Sequence, residues 1–180
     1  MQKCFRFHLI LFSFCSLPFF THHAFGQNNQ DSLISFVHND LTLLYPASWH
    51  RDARGSSLML YPEKKDGHYP GDFTVSFLSE AVSSGSDLKS YTDHHVNSAV
   101  SIWKRYGETL EVEEEDTLHI AGLPAYKVIC QQQPANQVRI KYLFIKGSRA
   151  FRLDYTGPSD TYTRYLPQVE NMIQSIQFEQ

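Results

Sequence analysis

The chain has 180 residues, with 16 Lys and Arg against 19 Asp and Glu, a formal net charge of −3. That length suits one domain with an ordinary hydrophobic core, and the acidic balance excludes a surface built to track nucleic-acid phosphates. Of the three cysteines, Cys4 and Cys15 lie at the N-terminus and Cys130 stands alone after them, so no disulfide framework holds the domain.

Residues 1–26 read as a cleaved secretory signal. Lys3 and Arg6 supply a positive start, Leu9 to Phe20 form an apolar stretch of 12 residues, and Ala24-Phe25-Gly26 offers signal peptidase its small residues. The stretch is shorter than the roughly 20 residues a membrane-spanning helix needs. Phe14 stands before Cys15 where lipoprotein processing wants a small residue. The expected product is therefore exported, not integral to the membrane and not lipidated. Cleavage leaves 154 residues with 14 basic and 19 acidic side chains. Residues 27–32, "QNNQDS", are expected to be a disordered leader, and 33–180 a single domain.

"LISFVHNDLTLLYP" reads as a β-hairpin, since Asn39-Asp40 is a turn pair between two apolar runs. Alternation puts Leu41, Leu43 and Tyr45 on one side, and Pro46 ends the ladder for want of an N–H. Trp49 is then expected to fold back as a core plug, with His50 leaving toward solvent. "SLMLYPE" is a short strand. Residues 62–72, "PEKKDGHYPGD", carry two prolines and two glycines and mark an exposed loop. "FTVSFLSE" resumes with period 2, Phe73, Val75 and Phe77 sharing a face.

A helix is predicted from Asp87 to Tyr106. Leu88, Tyr91, His95, Ala99, Ile102, Trp103 and Tyr106 form one stripe, Ser86 or Asp87 can cap the start, and Gly107 the end. Two strands follow in "TLEVEEEDTLHIAGLPAYKVICQQQ", turning at Ala121–Pro124, and "VRIKYLFIKGSRAFRLDY" is a second hairpin turning at Lys146–Ser148. The last helix is predicted over Asp160–Ser175. Its stripe of Tyr162, Tyr165, Leu166, Val169, Met172, Ile173 and Ile176 continues in phase through Pro167, which favours a kink over a fresh helix start. "IQF" can return to a sheet edge. Hairpins with one helix in the middle and one at the end predict an α+β fold, an antiparallel sheet with helices packed on its faces.

Little in the chain reads as chemistry. There is no nucleophile elbow, no zinc-protease histidine pair, no CxxC and no phosphate-cradling glycine loop. Asp93-His94-His95 invites a metal, but adjacent helical residues point about 100° apart, and Ser98 and Ala99 follow where ligands would be needed. His95 is expected to be a hydrogen-bonded core histidine and His94 a solvated one; a metal site would need His68 or Asp72 to come close. The run Glu111, Glu113, Glu114, Glu115, Asp116 invites calcium. Leu110, Val112, Leu118 and Ile120 share a strand face that Glu114 and Asp116 interrupt, which a bulge or an exposed edge strand explains better. Cys130 alternates with Val128 and Tyr126 and is expected to be a buried structural thiol.

Several pieces resemble the PsbP-like domain family. A strand running into "YPASWHRD" is similar to that family's Tyr-Pro-x-x-Trp corner, "IAGLPAYKV" to its turn between central strands, and "FRLDYTGPSDTYTRYLPQVENMIQSIQF" to its last strand, C-terminal helix and final Ser-x-x-Phe. The likeness runs over residues 33–178. It implies an α/β/α sandwich and noncatalytic binding of another macromolecule. Photosynthetic members assist the oxygen-evolving complex of photosystem II, and other proteins of the fold bind the GTPase Ran, sit in bacterial envelopes or chaperone secreted effectors. No manganese- or calcium-binding residue of the photosynthetic members maps onto a matching motif here, and the N-terminus lacks the character of a chloroplast transit peptide.

The expected function is a noncatalytic exported accessory protein whose partner is another envelope protein or complex, with no cofactor, no metal and no nucleic acid. The expected binding surface is the long loop, at Tyr61, His68, Tyr69 and Asp72. Alternatives are a photosystem-type extrinsic protein, a hydrolase or metal-dependent enzyme using His50, His68 or the His94-His95 pair, and a small-ligand carrier with a pocket between helix and sheet.

Overall fold

The computed structural model describes residues 32–54, 57–62 and 72–179. Residues 1–26, expected to be a secretory signal, and most of the expected leader, like His68 and Tyr69, lie outside the described residues. Among the described residues, ten strands and two α-helices follow in the order β1 (Leu33–His38), β2 (Leu41–Pro46), β3 (His50–Arg54), β4 (Ser57–Tyr61), β5 (Thr74–Ala81), α1 (Leu88–Arg105), β6 (Thr109–Ile120), β7 (Leu123–Gln133), β8 (Gln137–Lys146), β9 (Arg149–Pro158), α2 (Leu166–Gln174) and β10 (Gln177–Phe178). Among the described residues no helix is long and apolar enough to cross a membrane.

Seven strands make one antiparallel sheet in the order β3-β4-β5-β9-β8-β7-β6, and β1-β2-β10 make a smaller one. The predicted hairpins are present with their turns. Asn39 takes a φ of 55°, and Ala121 and Gly122 take 49° and 79°, the double left-handed backbone that matches the twist of a tight hairpin. Phe178 pairs with Leu41 of β2, so "IQF" does return to a sheet edge.

Alternation along the central strands sends side chains to two different covers. Val75, Phe77, Ile140, Tyr142, Phe144, Phe151, Leu153 and Tyr155 face a large core shared with the small sheet (Phe36, Leu41, Leu43, Tyr45) and α2 (Val169, Met172, Ile173). The opposite face meets α1, where Val128, Cys130 and Leu143 pack against Val96, Ala99, Val100 and Trp103. A helix on each face of an antiparallel sheet is the expected α+β sandwich. Each large side chain taken fully out of water contributes roughly 1.5–3 kcal/mol to holding the layers together.

Three local expectations are revised. Pro167 lies in the first turn of α2, preceded by a short 3-10 turn at Tyr162–Arg164, so the helix starts afresh there rather than kinking. Proline's missing N–H is harmless where no intrahelical partner exists. In α1 the inward face is rotated from the predicted stripe: Thr92 and Val96 are buried, whereas Ile102 and Tyr106 are exposed. On β6 a bulge between Val112 and Glu114 reverses the phase of the strand. Leu110 therefore packs under α1 while Ile120 faces the other core, and Val112 points to solvent. The acidic residues after the bulge occupy the exposed edge of the sheet, as a bulged edge strand requires.

Candidate functional site

The α1 side of the sheet carries charge as well as the smaller apolar cluster. Because Phe151, Leu153 and Tyr155 point into the large core, Arg152 and Asp154 must point the other way, and Lys141 on β8 joins them. Lys141 donates to Asp154 Oδ1 (3.1 Å), and Arg152 Nε donates to Asp154 Oδ2 (2.9 Å). Arg152 also donates from Nη1 to His95 Nδ1 (2.8 Å), and His95 Nε2 lies 2.7 Å from Glu80 Oε1. The Tyr91 hydroxyl donates to the same Glu80 oxygen at 2.6 Å.

These contacts fix the histidine. A guanidinium has only donors, so Nδ1 must accept and the ring proton must sit on Nε2, facing Glu80. His95 is thus the hydrogen-bonded, partly buried histidine the sequence suggested, with both nitrogens occupied. The Tyr91 hydrogen bond holds the Glu80 carboxyl below its ordinary range, against the opposing effect of burial. Burial first, and then the bond to Glu80, push the Tyr91 phenol well above its usual range. A cleft of about 120 Å³ opens beside Leu78, Glu80, Tyr91 and Arg152, room for a few waters.

A second polar group lies further along α1. Arg139 sits 4.5 Å from the centre of the Trp103 ring, a cation–π geometry, and donates to Gln132 and to Thr156 Oγ1 (3.3 Å). Gln132 in turn donates to Glu108. Cys130 is fully buried among apolar neighbours, and burial raises its thiol above the ordinary range, so it is a packing residue. Within the Glu80–Lys141 network, acids and bases neutralise one another across the helix–sheet seam. The arrangement locks α1 onto the sheet; it presents no activated nucleophile or free general base.

The residues expected to bind or react are separated. His94 is exposed on the outer side of α1, its ring centre 6.2 Å from that of His95 and nearly perpendicular to it. His50 is exposed at the start of β3, opposite Tyr61 with ring centres 6.3 Å apart. Among the described residues, no three His, Cys, Asp or Glu side chains gather as a metal would need.

Tyr61 and Asp72 stand on either side of residues 63–71, which lie outside the described residues, and an aromatic group packs next to Asp72 and to His50, the strand partner of Tyr61. Trp49 is buried and meets Tyr165 edge-on at 6.0 Å between centres; Tyr165 meets Phe73 edge-on at 4.9 Å. Gly157 on β9 lets Phe73 in, since a Cβ there would lie 2.9 Å from the phenyl ring. Trp49 was legible as a plug. Its partner Tyr165, more than a hundred residues away, was legible only as one member of a helical stripe.

No protein-family model matches the chain, and comparison with curated proteins finds no match. Solved structures do share its fold. Cyanobacterial PsbP (CyanoP) from Synechocystis superposes with a TM-score of 0.65 at 13% identity, covering 86% of this chain and 96% of that one. LpqN of Mycobacterium tuberculosis, described as involved in cell envelope biogenesis, gives 0.56 at 11% identity over 84% and 93%. A protein of Pseudomonas aeruginosa described as a putative regulator, PA94, gives 0.55 at 11% identity over 79% and 94%. The chain is thus a PsbP-like α/β/α sandwich in fold; identities this low establish the fold alone.

Proposed function

We propose that the chain is a noncatalytic, exported binding protein of the cell envelope, and that it holds another envelope protein through the loop end bounded by Tyr61 and Asp72. The observation that carries this reading is the packed Trp49–Tyr165–Phe73 aromatic group, whose Trp49 and Phe73 adjoin His50 and Asp72 in the chain. A rigid foundation under a variable connection is how sheet proteins present contact residues. Tyr61 and His50 are a ring pair at the rim, and Asp72 is exposed at the other end of the loop. His68 and Tyr69 add two further groups suited to a polar-aromatic interface.

Two further observations support it. The charged residues under α1 satisfy one another, which leaves a scaffold rather than a reactive centre. The shared fold with LpqN, described as involved in cell envelope biogenesis, agrees with an envelope setting and with the signal-like N-terminus. A photo-crosslinking residue at Tyr61 tests the idea in cells of the natural host. It should capture a discrete adduct, while the same probe at Tyr106, exposed at the C-terminal cap of α1, should not. Equal labelling from both positions, or none from Tyr61, refutes the loop face.

A further inference from the structure

On the face opposite α1, a groove of about 470 Å³ runs between α2 and the β6–β7 end of the sheet. Leu118, Ile120 and Ile173 supply apolar walls, while Lys127, Glu170 and Tyr142 supply polar groups. Tyr142 lines the groove yet is only 2% exposed, and its hydroxyl has no hydrogen-bond partner among the described residues. A buried hydroxyl left unpaired loses its bonds to water and gains none in return, so a native chain that keeps one invites a reason. Phenylalanine would fill the same space without that cost.

The surroundings say what would pair with it. Burial and the nearby Glu170 push the Tyr142 phenol well above its usual range, so the hydroxyl keeps its proton and is available as a donor. Lys127 Nζ lies 5.9 Å from the centre of the Tyr142 ring and reaches Glu170 Oε1 only at 3.4 Å. The Glu170 side chain is 45% exposed and can turn to solvent. An ammonium thus stands at a groove with both apolar and polar walls, a phenol donor is buried in the wall behind it, and one loosely held carboxylate occupies the ammonium.

We infer that this groove is a binding site for a small amphipathic carboxylate, its head replacing Glu170 at Lys127 and accepting from Tyr142, its apolar body lying along Leu118, Ile120 and Ile173. The volume falls in the range of small-ligand pockets, and the mixed lining, which also includes His119 and Gln174, suits a ligand with a polar head and an apolar body. The inference does not depend on the loop face and stands or falls separately.

Octanoate is the probe, with octanol lacking the charge and acetate lacking the body. Titration of the purified protein, followed by calorimetry and amide chemical shifts, should show octanoate binding with shifts at Lys127, Tyr142 and Ile173, and at least tenfold weaker binding of both controls. Tyr142→Phe should raise the melting temperature of the free protein while weakening octanoate about tenfold, the loss expected for a hydrogen bond to a charged group. A merely structural tyrosine would not give those opposite signs. Lys127→Met should weaken octanoate and leave octanol unchanged. No binding of octanoate, octanol binding as tightly, or undiminished affinity in Tyr142→Phe each overturns the inference.

Discussion

Asp154 is the residue on which the seam between α1 and the sheet turns. It accepts from Lys141 at 3.1 Å and from Arg152 at 2.9 Å, with 17% of its side chain exposed, and Lys141 is itself 8% exposed. Asp154→Ala removes the carboxylate and strands an ammonium where water reaches it poorly. Breaking a buried pair from one side costs about 3–5 kcal/mol; the slight exposure of both partners puts the expectation near the low end, about 3 kcal/mol. For a domain of this size that lowers the melting temperature by roughly 6–12 °C. The loss is mostly the penalty of an unpaired charge, so the double variant Asp154→Leu/Lys141→Met should recover at least half of it. Urea unfolding followed by circular dichroism, with Asp154→Leu and Lys141→Met as the single variants that complete the cycle, measures both quantities. A single-variant loss below about 1 kcal/mol, or additive effects in the cycle, would refute the view that these charges are held against each other away from water.

Trp49→Ala empties the space beside Tyr165 and should cost about 3–5 kcal/mol, read by the same urea titration; a cost under 1 kcal/mol would mean the ring is not packed as described. Glu80 has its folded pKa depressed below 4.5, so the stability it adds is complete above that pH and disappears as the pH falls through the folded value. Wild type and Glu80→Gln should accordingly differ by a constant amount near neutrality and converge in acid, by less than about 1 kcal/mol because the carboxylate is half exposed. Cys130, fully buried with its thiol pushed up by burial, should resist a thiol reagent in the native protein and react at once in denaturant; rapid native labelling would contradict its burial.

The sequence was most readable where local chemistry and tertiary demand agree. Period-2 runs bounded by Asn39-Asp40, Ala121-Gly122 and Gly147 became hairpins, and Asp87 caps α1 by accepting from the Ser90 N–H. The final Ser-x-x-Phe acquires a physical meaning: the Ser175 hydroxyl accepts from Leu44 N–H at 2.9 Å, and Phe178 meets Phe144 and Phe151 edge-on, so the chain end is tied to both sheets. What escaped the sequence was non-local. Strand β3 is short and charged, so no alternation announces it. The bulge on β6 inverts the faces of Leu110 and Ile120, which strict period 2 put together. Glu80, His95 and Arg152 meet from three elements, and nothing in the neighbours of any one of them names the other two. Tyr142 sits in a strand of apolar residues and looks like packing until its hydroxyl is found unpaired.

The central claim is that the end of the domain marked by Tyr61 and Asp72 recruits an envelope partner. The most direct measurement is affinity capture from envelope extracts of the natural host, comparing the tagged protein with a variant carrying Tyr61→Ala, His68→Ala, Tyr69→Ala and Asp72→Ala. The account predicts one enriched protein in the first sample, reduced at least tenfold in the second, with both proteins unfolding at the same urea concentration. Equal recovery by the two, or no enriched protein in either, would contradict it.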